Sequence, residues 1–332
     1  MSYMGILRRL FRFAIALALI LAVAWAAAAL YLDVRISWLR IPLALTFLIL
    51  VMLALLAVRR RAIAVGLCFA LFGAVLAWWM TLSPSNDRPW LQDVAQTPWA
   101  EFQGDNVTIH NVRNFDYSTE TDYRVNWETR TVSLSSIRGF DLFMNYWGSP
   151  AIAHTILSFD FGDGPPMAIS IETRKEVGES YSALLGFFRQ YELVYVIGDE
   201  RDIVRVRTNY RKGEDLYLYH TRSTAAHARD VFVDYLKTAN ELHVHPEWYN
   251  ALTTNCTTSI FPHLTGSDRI PKDWRILLNG YADQMAYEQG KLAGGLPFDE
   301  LKRRAHINSA AKAADQAPDF SRRIRVGRPG FE

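Results

Sequence analysis

The 332-residue sequence predicts an α+β protein in which three membrane-spanning helices precede a domain outside the membrane. Three observations predict this fold class. The first quarter of the chain holds three apolar runs, the middle holds short β-branched and aromatic runs, and the last third holds segments of helical periodicity. A series of strands followed by helices is typical of the α+β class.

The apolar runs are the first elements along the chain. They cover residues 11–32, 41–58 and 62–82, and each meets or nearly meets the ~20 residues that a spanning helix needs. The first run is too long for the hydrophobic core of a signal peptide, and two more runs follow it directly. We therefore expect residues 1–82 to form a three-helix transmembrane anchor.

Arginines cluster on one side of the predicted spans. Arg8, Arg9 and Arg12 precede the first span, and three consecutive arginines at 59–61 separate the second from the third. In the loops on the other side, aspartates offset the arginines. The positive-inside rule therefore predicts a cytoplasmic N terminus. We expect a bacterial inner-membrane protein whose residues after Ser83 lie in the periplasm.

The remainder divides into three parts. Residues 83–105 are polar and contain prolines, which predicts a juxtamembrane linker, and residues 106–300 form the predicted periplasmic domain. We predict strands at 107–115, 130–137, 140–148, 152–162, 167–176, 192–199, 202–210 and 215–221. Helical segments follow at 223–244, around 253–264 and at 274–293. Residues 301–332 form a basic polar tail, either solvated or in contact with anionic headgroups.

Several kinds of chemistry lack their sequence patterns. There is no Gly-x-Ser-x-Gly elbow, no phosphate-binding loop, no dinucleotide glycine pattern and no His-Glu-x-x-His. The histidine pair in "HVH" (243–245) has no acidic residue at ligand spacing, and the basic residues follow no aromatic stacking pattern. We therefore expect no metal, no other cofactor and no nucleic-acid partner.

Cys256 is the candidate nucleophile. It lies in "ALTTNCTTSI" (251–260), whereas Cys68, the other of the two cysteines, lies inside the third apolar run and cannot pair with it. The preceding Thr and Asn residues favour a helix N terminus. There the helix dipole stabilises a thiolate, and backbone N–H groups can form an oxyanion hole. The local pattern also fits a small, half-buried cysteine without a chemical role.

A histidine and a carboxylate complete the candidate site. His154 interrupts the apolar strand "AIAHTILSF", which fits either a base for Cys256 or a hydrogen-bonded core histidine. The "DGPP" turn (163–166) folds the following strand back beside it, which makes Glu172 the first choice for the orienting carboxylate. Asp160 is the weaker alternative. Glu172 also fits a surface carboxylate paired with Arg174.

Four long blocks carry a resemblance to a known family. They are "NVRNFDY" (111–117), the stretch 126–159, the stretch 168–211 and "PEWYNALTTNCTT" (246–258). Over about 106–265 the chain resembles the Lnb N-terminal periplasmic domain family, which is named for a lipoprotein N-acyltransferase. The resemblance implies a permuted relative of the papain-like and NlpC/P60 thiol enzymes, in which the histidine precedes the cysteine in the chain.

The resemblance also implies roles for individual residues. Cys256 corresponds to the nucleophile and His154 to its base, while Glu172 and Arg174 in the "ETR" block are further site residues. Tyr249 and Asn255, near the nucleophile, are implied substrate or oxyanion contacts. This chain departs from the named enzyme in having three leading spans and nothing large after the domain.

The expected function is a Cys-His acyltransferase or hydrolase that acts on lipid or lipoprotein acyl groups through a thioester. Membrane lipids and lipoprotein N termini are its expected partners. Two alternatives stay open at this point: an NlpC/P60-type peptide or peptidoglycan amidase, and a non-catalytic envelope scaffold whose cysteine and histidine are structural.

Overall fold

The computed structural model describes residues 3–254, 256–265, 273, 275 and 279–331, without the side chains of residues 256, 257 and 265. The chain forms two compact units. The anchor unit contains Met1–Pro84 and Ser182–Tyr191, and the sheet unit contains Ser85–Tyr181 and Glu192–Glu332.

The anchor unit is built on three helices: α1 (Tyr3–Leu32), α2 (Ser37–Ala57) and α3 (Arg61–Met80). All three are long and apolar enough to cross a membrane. Small side chains such as Ala26, Ala29 and Cys68 are fully buried between them, as expected where spanning helices pack closely in lipid. The three predicted spans are confirmed as helices.

The sheet unit is built on one large mixed sheet. Its strands are β1 (Trp99–Gln103), β2 (Asn106–Arg113), β5 (Trp127–Ser133), β6 (Gly139–Trp147), β7 (Ser149–Asp160), β8 (Met167–Arg174), β9 (Glu192–Asp199) and β10 (Glu214–His220). Their order is β1-β2-β9-β8-β7-β6-β10, with β5 paired to β2. Only β2 and β9 run parallel among the described pairs. The short strands β3 (Asp116–Tyr117) and β4 (Tyr123–Arg124) form a separate hairpin.

Helices cover both faces of this sheet. They are α4 (Glu200–Arg205), α5 (Ala225–Val244), α6 (Cys256–Thr265), α7 (Ala282–Glu288), α8 (Phe298–Ala305), α9 (Asn308–Ala313) and α10 (Phe320–Arg323). On one face, Phe159 of β7 packs against Phe232 of α5 with ring centroids 4.9 Å apart. On the other face, Ile156 of β7 lies in a core cluster with Phe320 of α10. Successive strand residues point to opposite faces, so β7 is buried on both sides. Three spans followed by strands and helices confirm the α+β class.

One predicted strand is a helix. Residues 202–210 lie in α4 and in the π-helical turn Val206–Tyr210 that follows it. The Asp199 carboxylate caps the helix by accepting a hydrogen bond from the backbone N–H of Arg201, 2.9 Å away. The β-branched residues in this stretch imitate strand alternation, but the cap and the acidic first turn favour a helix.

The segment predicted as a linker, 83–105, belongs to the folded unit from Ser85 onward. Trp90 and Val94 are buried, and β1 adds an edge strand to the sheet. Arg174 fixes this segment, because its guanidinium donates to the carbonyl oxygens of Val94 (2.9 Å) and Ala95 (2.7 Å). The predicted domain boundary at 106 is therefore about 20 residues too late.

The segment predicted as a basic tail, 301–332, is packed as well. Its apolar residues Ile307, Phe320 and Ile324 are fully buried in the same core cluster as the middle of the sheet. Arg325 forms ion pairs with Asp141 (2.8 Å) and Glu200 (2.6 Å). Short helices with one apolar residue per turn bury that residue, while basic side chains such as those of Arg303 and Arg322 stay exposed. This pattern explains the tail-like composition.

Candidate functional site

A cavity of about 530 Å³ lies in the sheet unit beside β6, β7 and β8. The side chains that matter for chemistry here are those of Asn145, His154, Glu172, Arg207, Glu214 and Tyr249. This volume falls in the range that small-molecule sites usually have. Two of the predicted catalytic residues, His154 and Glu172, therefore line one cavity.

The pairing of β7 with β8 brings the histidine and the carboxylate together. The register pairs Ile156 with Ser170, so His154 and Glu172, two residues beyond this pair on each strand, face the same side of the sheet. The Nε2 atom of His154 lies 3.2 Å from Oε1 of Glu172. The hairpin geometry expected from the "DGPP" turn is thus present. Asp160, the weaker candidate, lies at the other end of β7, where it accepts a hydrogen bond from Gly162.

Ser170 indicates which ring nitrogen of His154 carries the proton. Its hydroxyl donates to Oε1 of Glu172 over 2.6 Å and lies 2.7 Å from Nε2 of His154. A serine hydroxyl has one hydrogen to donate, so it can only accept from the imidazole. Nε2 is therefore the protonated nitrogen, which makes Nδ1 the basic nitrogen of the neutral ring.

Arg207 is the ion-pair partner of Glu172. Its Nη2 donates to Oε1 of Glu172, and its Nη1 donates to the carbonyl oxygen of Ile203 over 2.6 Å. The π-helical turn after α4 places this buried guanidinium beside Glu172 of β8. Glu172 therefore pairs with Arg207, and the expected alternative pairing with Arg174 is wrong.

The charges around Glu172 hold it ionised. Burial alone raises the pKa of a carboxyl group, but the charges of His154 and Arg207 and the hydrogen bond from Ser170 outweigh burial here. The pKa of Glu172 therefore lies well below its ordinary value. A fixed negative charge beside His154 orients the imidazole and stabilises its protonated form.

Asn145 is a cavity residue that the sequence analysis did not identify. It lies opposite His154 in the register of β6 and β7, and it is almost fully buried. Its Nδ2 donates to Oε2 of Glu214 over 2.6 Å, while its Oδ1 has no hydrogen-bond partner among the described residues. A lone asparagine in the apolar run "FDLFMNYW" was the available signal, of the same kind as His154.

Arg174, in contrast, is not among the residues that line the cavity. Its three guanidinium nitrogens donate to Val94, Ala95 and Asn86, the last over 2.6 Å. The guanidinium also lies 4.3 Å from the centre of the Trp90 ring. Through these contacts the buried Arg174 holds the segment before β1 in place. The resemblance instead implies that Arg174 is a site residue.

The remaining predicted residues are Tyr249, Asn255 and Cys256. Tyr249 lines the cavity. Asn255 lies outside the described residues, as does the side chain of Cys256, so their predicted contacts stay predictions. Cys256 is the first residue of α6, which agrees with the predicted position of the cysteine in the first turn of a helix.

His263 fixes α6 against its neighbours. Its Nδ1 lies 2.5 Å from Oδ2 of Asp234 on α5, and its Nε2 lies 2.9 Å from the hydroxyl of Tyr195 on β9. Burial lowers the pKa of His263, although Asp234 opposes that effect. A buried histidine bonded on both sides holds the helix that begins at Cys256 in a defined position.

The helices and the site together define a class of protein. Three helices that are long and apolar enough to span a membrane precede an α+β unit, which has a histidine–carboxylate–arginine cluster beside a cavity. The protein is therefore a membrane-anchored α+β domain protein. Residues 123–280 match the family model of the Lnb N-terminal periplasmic domain. The match confirms the resemblance over these residues, and the chain is a membrane protein with a periplasmic domain.

No curated protein and no solved structure matches the chain. The permuted papain-like arrangement is accordingly still an expectation from the family resemblance.

Proposed function

We propose that the periplasmic domain is a thiol acyltransferase or hydrolase in which Cys256 is the nucleophile, His154 the base and Glu172 the orienting carboxylate. The observation that carries this proposal is the contact of His154 Nε2 with Ser170 and Glu172 in one cavity. The start of α6 at Cys256 also supports the proposal, because the helix dipole favours a thiolate at that position.

The proposed reaction has two halves. In the first, Nδ1 of His154 takes the thiol proton, and the Cys256 sulfur attacks the carbonyl carbon of an acyl ester. The ester C–O bond breaks, the imidazolium gives its proton to the leaving alkoxide, and a thioester remains on the enzyme. In the second, an amine or water attacks the thioester while Nδ1 takes its proton. The C–S bond then breaks, and Cys256 leaves as a thiolate.

Glu172 and Arg207 act through His154. The ionised Glu172 stabilises the imidazolium that forms in each half-reaction, and Arg207 keeps that carboxylate charged and in place. Because Arg207 is buried and Glu172 is half-buried, these interactions are stronger than they would be in water.

The membrane anchor supports an acyl donor drawn from lipid. We propose a bacterial inner-membrane location with the N terminus in the cytoplasm, which leaves the domain on the same side as the outer-leaflet lipids. Membrane lipids or lipoprotein N termini are the proposed partners. No other cofactor or metal is needed for the two half-reactions.

The test is covalent labelling of the full chain in detergent micelles with an alkyne-tagged fatty acyl ester. We expect the wild-type protein to carry a label that hydroxylamine removes, because thioesters react with hydroxylamine under mild conditions. Cys256→Ser should lose this hydroxylamine-sensitive label. Cys68→Ala is the matched control, since it removes the other cysteine, and it should label like the wild type.

Equal hydroxylamine-sensitive labelling of Cys256→Ser and the wild type would show that the thiol mechanism is wrong. A Cys256 thiol that does not react with iodoacetamide at pH 6 would favour the scaffold alternative, because an activated thiolate reacts at that pH. Mass spectrometry of a deletion strain separates the two enzymes: altered lipoprotein N termini support acyl transfer, whereas altered muropeptides indicate the amidase.

A further inference from the structure

The connection between β8 and β9 contains a segment that belongs to the anchor unit. Residues 182–191 form one compact unit with residues 1–84, although the strands on either side belong to the sheet unit. The ends of the segment are close together, because the N–H of Ser182 donates to the hydroxyl of Tyr191 over 3.1 Å. We call residues 182–191 the docking loop.

The docking loop is fixed to the C-terminal ends of α1 and α3 by polar contacts. Gln190 Nε2 donates to the carbonyl oxygen of Leu32, the last residue of α1, over 3.0 Å and to Oδ1 of Asp33 over 2.6 Å. Arg189 donates to the carbonyl oxygen of Leu82, just beyond the end of α3. Helix-end carbonyls have no intrahelical partner, so the loop satisfies groups that would otherwise need water.

Aromatic contacts reinforce this attachment. Phe188 is buried and stacks on Trp25 of α1 with centroids 6.3 Å apart. The Arg189 guanidinium lies 4.2 Å from the centre of the Trp79 ring, and the Trp79 indole donates to Asp33 over 2.7 Å. Tryptophan and arginine at the ends of spanning helices mark the level of the membrane–water interface. The docking loop therefore lies at that level.

The same loop exposes two large apolar side chains. The 3₁₀ turn Leu185–Phe187 leaves Leu184 69% exposed and Phe187 46% exposed. Bonds from Gly186 to Ser182 and from Phe187 to Leu184 hold this turn in shape. Apolar side chains exposed at interface level meet lipid headgroups and the first acyl carbons, and their burial there is favourable.

We propose that Leu184 and Phe187 insert into the lipid bilayer, so that the docking loop is a membrane contact additional to the three spans. The occupant of this apolar surface is lipid because the loop is attached to the ends of the spans, where lipid is the adjacent phase. Leu184, Phe187 and the groups that hold the loop all belong to the anchor unit, so insertion does not depend on acyl transfer.

Fluorescence quenching tests the insertion. Leu184→Cys and Phe187→Cys are made in the full chain with Cys68→Ala and Cys256→Ala, labelled with an environment-sensitive nitrobenzoxadiazole dye and placed in phosphatidylcholine nanodiscs. Val326→Cys is the matched control, because Val326 is an apolar residue of the sheet unit with 68% exposure. Doxyl-labelled lipid quenches dyes in the bilayer, and aqueous iodide quenches dyes in water.

We expect doxyl lipid to quench the dye at 184 and 187 at least about twofold more strongly than at 326, and iodide to quench it less. Stronger doxyl quenching than at 326 in either loop position supports insertion. Quenching equal to that at 326 in both positions, with full access to iodide, overturns it and assigns the exposed side chains to water or to a protein partner.

Discussion

At the scale of single residues, the environment of Glu172 separates the proposed site from an ordinary ion pair. One of its oxygens meets Ser170, His154 and Arg207 at once. A carboxylate used only for stability needs no histidine among its partners, whereas a base needs an orienting group on the ring nitrogen that does not react.

Glu172→Gln should lower the rate of acyl transfer by on the order of 10²-fold, because a neutral amide does not stabilise the imidazolium. The pKa of Glu172 lies well below its ordinary value, so it stays charged above pH 5. The pH–rate profile of the wild type in that range should therefore contain no step from this carboxylate. Rates from pH 5 to 9 with the acyl ester probe check both statements.

Glu120→Gln is the control for that substitution. Glu120 also lines the cavity, but it is exposed and lies 3.9 Å from Arg211. An exposed ion pair at this distance contributes little to stability. The Glu120→Gln variant should therefore transfer the acyl group at the wild-type rate. Equal rates for both variants and the wild type would remove Glu172 from the proposed mechanism.

At the scale of elements, β9 and the segment that follows it show what local sequence can and cannot predict. The bounds of β9 agree with the prediction, because a continuous apolar run between polar residues is typical of a buried strand. The following stretch was predicted as a strand and forms α4 and a π-helical turn. This stretch is helical because Asp199 caps it and because it is buried in the sheet unit. Hydrophobic periodicity over nine residues does not distinguish a helix from a strand here.

Glu192, the first residue of β9, gives a pH prediction. It is buried, and burial raises its pKa to about 7 although Arg88 lies 2.7 Å away. A carboxyl group with a raised folded-state pKa contributes its stability below the unfolded pKa, and this is lost as pH rises through the folded pKa. The wild type should therefore lose about 2 kcal/mol from this group between pH 5 and pH 8.

Glu192→Gln cannot ionise, so the loss between pH 5 and pH 8 should disappear. Thermal unfolding midpoints of the full chain in detergent, taken across that range, measure the difference between variant and wild type. The unfolding midpoint of the variant should rise relative to that of the wild type as the pH rises. A difference that stays constant, or that changes in the opposite direction, would contradict the raised pKa. Arg88 keeps Glu176 as a partner at 3.0 Å in either case.

At the scale of the whole molecule, the C-terminal segment completes the core of the sheet unit. Phe320 of α10 is fully buried and belongs to the same cluster as Ile156 and Phe143 in the centre of the sheet. The sheet face that carries His154 is therefore closed by residues more than 150 positions away in the chain.

Phe320→Ala should destabilise the sheet unit by about 3–5 kcal/mol, because it removes a large buried ring and leaves a cavity. Val326→Ala is the control in the same segment. Val326 is exposed, so its truncation should change the stability by less than about 0.5 kcal/mol. Thermal unfolding in detergent compares the two. Equal midpoints would mean that the segment is the solvated tail that its composition suggests.

The spans, the α+β class and most strands of the sheet follow from the sequence alone, and the "DGPP" turn makes Glu172 the first choice of carboxylate for His154. These features depend on length, periodicity and a short turn, all of which are local. Tertiary structure alone decided that Arg207 rather than Arg174 pairs with Glu172, and that residues 85–105 and 301–332 are folded. It also assigned residues 182–191 to the anchor unit. Each of these depends on contacts between residues far apart in the chain, where burial and pairing outweigh local preference.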